Sequence, residues 1–296
     1  MPLADAPLTA EVLEAVRHHW LVSGDHGERL RGGEESASYR VGEYVLRIGP
    51  GWRADAELEW CHAVASQASL EVPEVVAPRP TRGGATVVRV EGRPVSVWPF
   101  VAGTWGDDTD PRQRSQAADL LARLHRSAAG LPIVARPPGG PKLACAPELA
   151  DPALDAWLIE FDTSHPARQP LHGDYYAGNV LVDRGRIAAL LDWDDAFVGA
   201  PERELAWAAW EWGDGLWTLE LDAAKSFVSD YKTAGGPAAP VSEGELRQLV
   251  RQRIRWEVRY ARVAREGAVL HDAADLDYEA QQLEAFRILR PWAPER

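Results

Sequence analysis

The chain has little cysteine, no long apolar run and, before Lys142, no lysine at all. Its two cysteines, Cys61 and Cys145, lie far apart in no ligand-like spacing, which argues against a disulfide framework and a cysteine-based metal site. No uninterrupted apolar stretch approaches the roughly 20 residues that a membrane-spanning helix needs. The opening MPLADAPLTAEVLEAVRHHW has no charged segment running into an apolar core, so no signal peptide is expected and the cytoplasm is the expected compartment. Without lysine, any permanent cation in the N-terminal half must be arginine. A net charge of −13 opposes nonspecific nucleic-acid binding. It mildly favours a cationic ligand, although acidic charge also serves solubility alone.

What is present suits two lobes sharing a cleft. The 296 residues and 46% hydrophobic content support a large core, and the 13 tryptophans supply core or pocket walls. The most informative stretch is Leu171 to Ala196, LHGDYYAGNVLVDRGRIAALLDWDDA. Two apolar runs, Asn179–Val182 and Ile187–Leu191, flank Asp183-Arg184-Gly185-Arg186, which predicts a β-hairpin. The far ends of a hairpin meet, so Asn179 and Asp192 can converge on one cation while Asp174 stands just outside. An amide oxygen and a carboxylate are hard ligands of the kind magnesium takes when it offsets phosphate charge. Asp174 is then free to orient a hydroxyl and accept its proton. Taken singly these are ordinary turn and cap residues; it is their joint spacing that points to phosphoryl transfer.

HGDYYAGN keeps the spacing of the kinase catalytic loop H-R-D-x-x-x-x-N, with Gly173 in place of arginine. The stretch resembles the aminoglycoside phosphotransferase and choline kinase family, protein-kinase-like enzymes that phosphorylate small molecules. The resemblance implies an α+β bilobal fold, with a β-rich nucleotide-binding lobe at 1–102 and a larger, mostly helical catalytic lobe at 103–296. It also implies ATP and Mg2+ as cofactors.

Upstream, RLRGGEESASYRVGEYVLRI reads as three short strands. The turn at Gly32-Gly33, with Ser36 and Ser38, is placed to cover phosphates, but it is no Walker A loop and by itself is equally an ordinary hairpin turn. The strand position that holds a lysine in kinases is Arg47, whose planar fork suits phosphate oxygens. Glu57, on the inward face of a helix from about 54 to 68, is the expected ion-pair partner of Arg47, as in the E-L-x-W run that ELEW resembles. Trp98-Pro99-Phe100-Val101 resembles the adenine-holding hinge, with Pro99 where no donor is required and Val101 keeping its N–H.

Downstream, His125 is expected to be a structural histidine bonded to the loop below, and residues 130–147 a loop or lid. The family pattern G-x-P-x-x-D-L-A carries Glu204 where aspartate is usual, which leaves the support of the catalytic loop open. The arginine-rich helix near 242–265 reads as a salt-bridged surface helix. Trp210, Glu211, Trp212 and Asp214 form either a cation pocket or core and surface. Asp194 and Asp195 receive no role. The expected activity is transfer of the ATP γ-phosphate to a hydroxyl of a small, cationic molecule, an aminoglycoside or other antibiotic. The alternatives are a kinase for choline, homoserine or an amino sugar, and a kinase-fold binding protein without turnover. No membrane or nucleic-acid partner is expected, and the oligomeric state is open.

Overall fold

The computed structural model describes residues 6–24, 26–31, 35–131, 133–140, 143–266 and 273–291. Helix α1 (Ala10–Trp20) starts where Thr9 caps it: the Val12 N–H donates to Thr9 Oγ1 at 3.3 Å. Its stripe of Val12, Val16 and Trp20 is buried against an antiparallel sheet. The sheet contains β1 (Glu28–Arg29), β2 (Ala37–Val41), β3 (Tyr44–Ile48), β4 (Val88–Val90) and β5 (Arg93–Pro99) in the spatial order β1-β2-β3-β5-β4. Helix α2 (Asp55–Ala68) is inserted between β3 and β4. Strand alternation sends Leu46, Ile48, Val95 and Val97 into the core with α1. The opposite face of β3 therefore carries Arg47, registered between Ser38 and Ser96.

The chain continues through β6 (Thr104–Trp105), α3 (Pro111–Ala128), α4 (Pro152–Ser164) and β7 (Gln169–Leu171). Strands β8 (Val180–Asp183), β9 (Arg186–Leu190) and β10 (Phe197–Gly199) follow. Helices α5 (Pro201–Glu211), α6 (Gly215–Thr218), α7 (Asp222–Thr233), α8 (Glu243–Glu266) and α9 (Ala273–Ile288) complete the larger, helical part. The architecture is α+β, as expected.

The predicted hairpin is β8–β9. Arg184 and Gly185 turn it with φ of 49° and 75°, the double positive φ that matches strand twist. Val180 pairs with Leu190, and the Leu191 N–H donates to the Asn179 carbonyl at 2.8 Å, so the two far ends do meet.

Two features depart from the sequence patterns. Helix α4, which buries Leu154, Leu158 and Phe161, occupies a stretch for which no element is predicted. The tryptophan-rich helix is interrupted: a Cβ on Gly213 would lie 2.8 Å from Ala209 O and 2.9 Å from Ala224 N, and Asp214 adopts φ 51° before α6 begins. Close approach of α7 sets that break. The segment after α2 joins β9 through Val76 N–H to Leu190 O (3.1 Å) and Leu190 N–H to Glu74 O (2.7 Å). Val76, Trp98, Leu181 and Ala189 form an apolar seam there, edged by Val45, Val101 and Leu191. Among the described residues no helix is long and apolar enough to cross a membrane.

Candidate active site

The loop from His172 to Asn179 is held from beneath. His172 is fully buried and its Nε2–H donates to Leu191 O at 2.8 Å, while Nδ1 accepts from the Asp174 N–H at 3.2 Å. Burial pushes its pKa down, so it stays neutral. Gly173 has φ 88°, and a Cβ there would stand 2.1 Å from Asp195 O. Only glycine meets both conditions. The Gly173 N–H donates to Glu204 Oε1 at 2.5 Å, and Glu204 Oε2 meets His125 Nε2 at 2.8 Å. His125 Nδ1 in turn meets the Tyr231 hydroxyl at 2.8 Å. Burial alone would raise the pKa of Glu204, but the bonds to His125 and Gly173 hold it below its ordinary value.

Asp174 projects from this loop. Its Oδ2 accepts from Asn179 Nδ2 at 2.8 Å, and its Oδ1 accepts from Arg253 Nη2 at 2.7 Å. Burial pushes its pKa up to about 7 against the pull of Arg253, with Asp195 and Asp192 adding to the rise. A carboxylate so placed is basic enough to take a proton near neutral pH. Around it stand Glu257, which accepts from Arg253 Nε, and Glu211. The Glu211 carboxyl has no hydrogen-bond or ion-pair partner among the described residues. Burial and the nearby Glu257 push its pKa up to about 8.

The loop from Asp192 to Ala196 is held from above by arginines. Asp192 adopts φ 58°, a costly conformation for a residue other than glycine. Arg47 Nη2 donates to Asp192 Oδ1 at 3.0 Å and to Asp194 Oδ2 at 3.1 Å. Burial would raise the Asp192 pKa, but Arg47 more than offsets it and holds it low; at Asp194 burial prevails and the pKa rises. Arg53 donates to Asp195 Oδ1 at 3.1 Å, to Asp194 O at 3.0 Å and to Glu35 Oε2 at 3.2 Å. Tyr260, from α8, donates its hydroxyl to the other oxygen of Glu35. A cavity of about 10 Å³ is left between Ser36, Arg47, Arg53, His62 and Asp194.

A hairpin carrying Asn179 and Asp192 at its joined ends, beside a supported base and a cationic strand, is the geometry of a phosphoryl-transfer site. A model of the phosphotransferase enzyme family matches residues 26–240. The chain belongs to this family. It is 28% identical to a homoserine kinase of Pseudomonas aeruginosa strain UCBPP-PA14, over 97% of this chain and 98% of that protein. Among solved structures, an amicoumacin kinase in complex with AMP-PNP, Ca2+ and amicoumacin superposes with a TM-score of 0.67 at 12% identity, over 96% of this chain and 94% of that one. A spectinomycin phosphotransferase, APH(9)-Ia, in complex with ADP and spectinomycin gives 0.62 at 15% identity, over 96% and 98%. The family's kinases use ATP with a divalent metal.

Within this phosphotransferase, Asp174, Asn179, Asp192 and Arg47 come together as the spacing implies. The expected Arg47–Glu57 ion pair does not form. Glu57, 1% exposed, is taken by Arg53 at 3.3 Å, one helical turn before it, and by Arg136 from the loop after α3. Arg47 reaches the Asp192 loop instead. Gly32 and Gly33 lie outside the described residues; Ser36 lines the small cavity, and Ser38 sits opposite Arg47. Trp98 is buried, its Nε1–H on Ser96 Oγ at 2.8 Å, and Pro99 closes β5 opposite Tyr44. Val101 makes no backbone hydrogen bond among the described residues, which leaves it able to bond an adenine edge. His125 is structural, and Glu204 does support the catalytic loop. Trp210 and Trp212 are core, which decides for these two between the alternatives of core and cation pocket.

The donor set fits a hard divalent cation. Asn179 spends its Nδ2 on Asp174 and leaves its amide oxygen without a partner among the described residues; one Asp192 oxygen is likewise without one. Among the described residues no group of three or more His, Cys, Asp or Glu could by itself hold a metal ion. Sequence reasoning missed Arg53, Arg136, Arg253 and Tyr260. The first had a signal in its i,i+4 spacing to Glu57. The last two lie on one face of α8 with Trp256 and Glu257, a 3–4 pattern hidden among surface arginines.

Proposed function

We propose that this phosphotransferase moves the γ-phosphate of ATP to a hydroxyl of a small, amine-bearing molecule. The observation that carries this reading is the acidic surround of Asp174, where Glu211 and Glu257 outnumber the lone Arg253 and the Glu211 carboxyl has no partner among the described residues. Glu211, held largely protonated at neutral pH by burial and by Glu257, would ionise against an ammonium group and so anchor the acceptor beside the base. Asp174 takes the hydroxyl proton as the acceptor oxygen forms its bond to the γ-phosphorus. The bond from that phosphorus to the β,γ-bridging oxygen breaks, and ADP leaves with the electron pair. Arg47 binds phosphate oxygens, and Trp98, Pro99 and Val101 form the hinge against the base between a nucleotide lobe at 1–102 and a catalytic lobe at 103–296. Asn179 and Asp192 would hold Mg2+, which offsets the charge on the phosphates.

A zwitterionic amino alcohol is a second reading within this class. It is favoured by the end-to-end likeness to a homoserine kinase, with Arg253 as the group to meet a carboxylate. Aminoglycosides and other cationic antibiotics fall in the same amine-bearing class. Magnesium-dependent ADP release, measured with homoserine, choline, amino sugars, aminoglycosides and matched neutral alcohols, tests the proposal. Amine-bearing acceptors should exceed their neutral isosteres at least tenfold in kcat/KM, about the worth of one charged hydrogen bond. Preference for a neutral or anionic alcohol would overturn it, and ligand binding with no ADP release from any acceptor would return the chain to a binding role.

A further inference from the structure

Helix α8 begins beyond residue 240, where the family model stops, and it sends one arginine into the catalytic loop. We propose that Arg253 is a positioning residue for phosphoryl transfer, which fixes the direction of the Asp174 carboxylate. The proposal rests on the reading of Asp174 as the base.

One guanidinium grips two successive acceptors of the same loop. Nη1 donates to Gly173 O at 2.8 Å and Nη2 to Asp174 Oδ1 at 2.7 Å. A planar fork holds such a pair at a fixed mutual angle, which a point charge cannot do. The other carboxylate oxygen is on Asn179 Nδ2 at 2.8 Å, so donors on opposite oxygens set the plane of the base. Without Arg253 that plane would turn about the Asn179 contact alone, in a side chain that is 29% exposed.

The fork is itself immobilised. Its Nε is on Glu257, one turn further along α8. The Trp207 and Trp256 ring centroids lie 5.4 Å and 5.1 Å from the guanidinium carbon. The side chain is only 11% exposed, so it is held by packing as well as by charge. Other arginines of the helix do different work. Arg247 pairs with Glu243 along the helix surface, Arg255 with Asp155, and Arg262 with Glu148 and Glu279. Arg251 holds Asp151 inside the helical core. These pairs stay within α8 or join it to the helical part around it, whereas Arg253 ties the helix to the one side chain that must face the acceptor.

The test is a double-variant cycle of R253M and D174N, read in single turnover with ATP and the best acceptor of the panel. Misdirecting a reacting group by about an ångström costs on the order of 100-fold. R253M should therefore lose about 100-fold in kcat with KM for ATP changed less than about threefold, and R253K should recover to within about tenfold of wild type. In the D174N background R253M should cost less than about threefold more, because no base remains to be directed. Melting temperatures check that each variant is folded; R253Q, which keeps the stem and a donor, runs the same cycle if R253M does not fold. Kcat within threefold of wild type for R253M while D174N is inactive overturns the proposal. So do losses that multiply in the double variant, which mark a general support of the fold. Full activity of D174N would instead overturn the reading of Asp174 as base.

Discussion

The two loops that face each other across the site are held by different means, the base loop with one arginine, Arg253, and the other with three. The base loop rests on a short-bonded buried chain, Gly173 to Glu204 to His125 to Tyr231, plus neutral His172. None of the buried side-chain atoms of that chain lacks a hydrogen-bond partner. The Asp192–Ala196 loop hangs from Arg47, Arg53 and Arg136, in a charged net where Arg53 Nε, Glu57 Oε2 and Asp194 Oδ1 have no hydrogen-bond partner among the described residues. A fully bonded buried network fixes a geometry, whereas a charged net that leaves buried groups unpaired has partners to spare for another ligand. We expect the Asp174 loop to keep its partners and the Asp192 loop, the proposed metal loop, to exchange its arginines when phosphates arrive.

The comparison breaks most visibly at the base. Asp174→Asn should lower kcat by about 1,000-fold, within the range a general base contributes, while ATP affinity by calorimetry stays within about threefold. A parallel loss of ATP affinity would show that the two loops are not separately held. One layer below, Glu204→Ala leaves His125 and the Gly173 N–H without their buried partner and should cost about 3 kcal/mol in urea unfolding at pH 7. Glu204 has a folded pKa below its ordinary 4.5, so its contribution is complete above that pH and fades as pH falls through the folded value. The gap between wild type and variant should accordingly narrow from pH 7 to pH 4. A constant gap would mean that packing, not the charge, supports the loop.

How much of this was legible differs between the same two loops. Hairpin spacing put Asn179 and Asp192 together because the strand period and a positive-φ turn leave little freedom, and the base followed from the fixed offset to Asn179. Gly173 and Glu204 were visible as residues, but their reason lay in Asp195 O and His125, contacts between segments distant in sequence. Arginine partners were the least legible. A long flexible cation can reach several carboxylates, and which it takes depends on packing: Glu57 went to Arg53 and Arg136, and Asp194 and Asp195 became partners of Arg47 and Arg53. Arg253 was hidden because a charged helix face looks the same whether it meets water or a catalytic loop.

Smaller effects belong to the exchangeable net. Arg47→Ala removes a charged donor to phosphate and should weaken ATP binding by about 10- to 100-fold, the worth of one charged hydrogen bond, with kcat at saturating ATP much less affected. Arg47 also neutralises Asp192 and Asp194 before nucleotide binds, so the loss should shrink at high magnesium, where the cation takes over that task. An ATP affinity unchanged at every magnesium concentration would reduce Arg47 to a structural counter-ion.

The smallest effect tests whether the net extends to α8. Tyr260 stacks on Trp256 at 5.0 Å and donates to Glu35, which follows closely on Gly32 and Gly33 in sequence and also pairs with Arg53. Burial pushes the Glu35 pKa up, while Tyr260 and Arg53 pull it down. Tyr260→Phe keeps the stacked ring and deletes one hydrogen bond, worth about 1 kcal/mol, or roughly fivefold in an equilibrium. If Glu35 must release Tyr260 before phosphates can bind beside Arg53, the variant should bind ATP up to about fivefold more tightly, with kcat unchanged. If the bond instead holds Glu35 and Arg53 in their binding position, affinity should fall by a similar factor. The first sign extends the exchangeable character of the metal loop across the cleft to α8; the second would place Tyr260 with the fixed supports of the base loop.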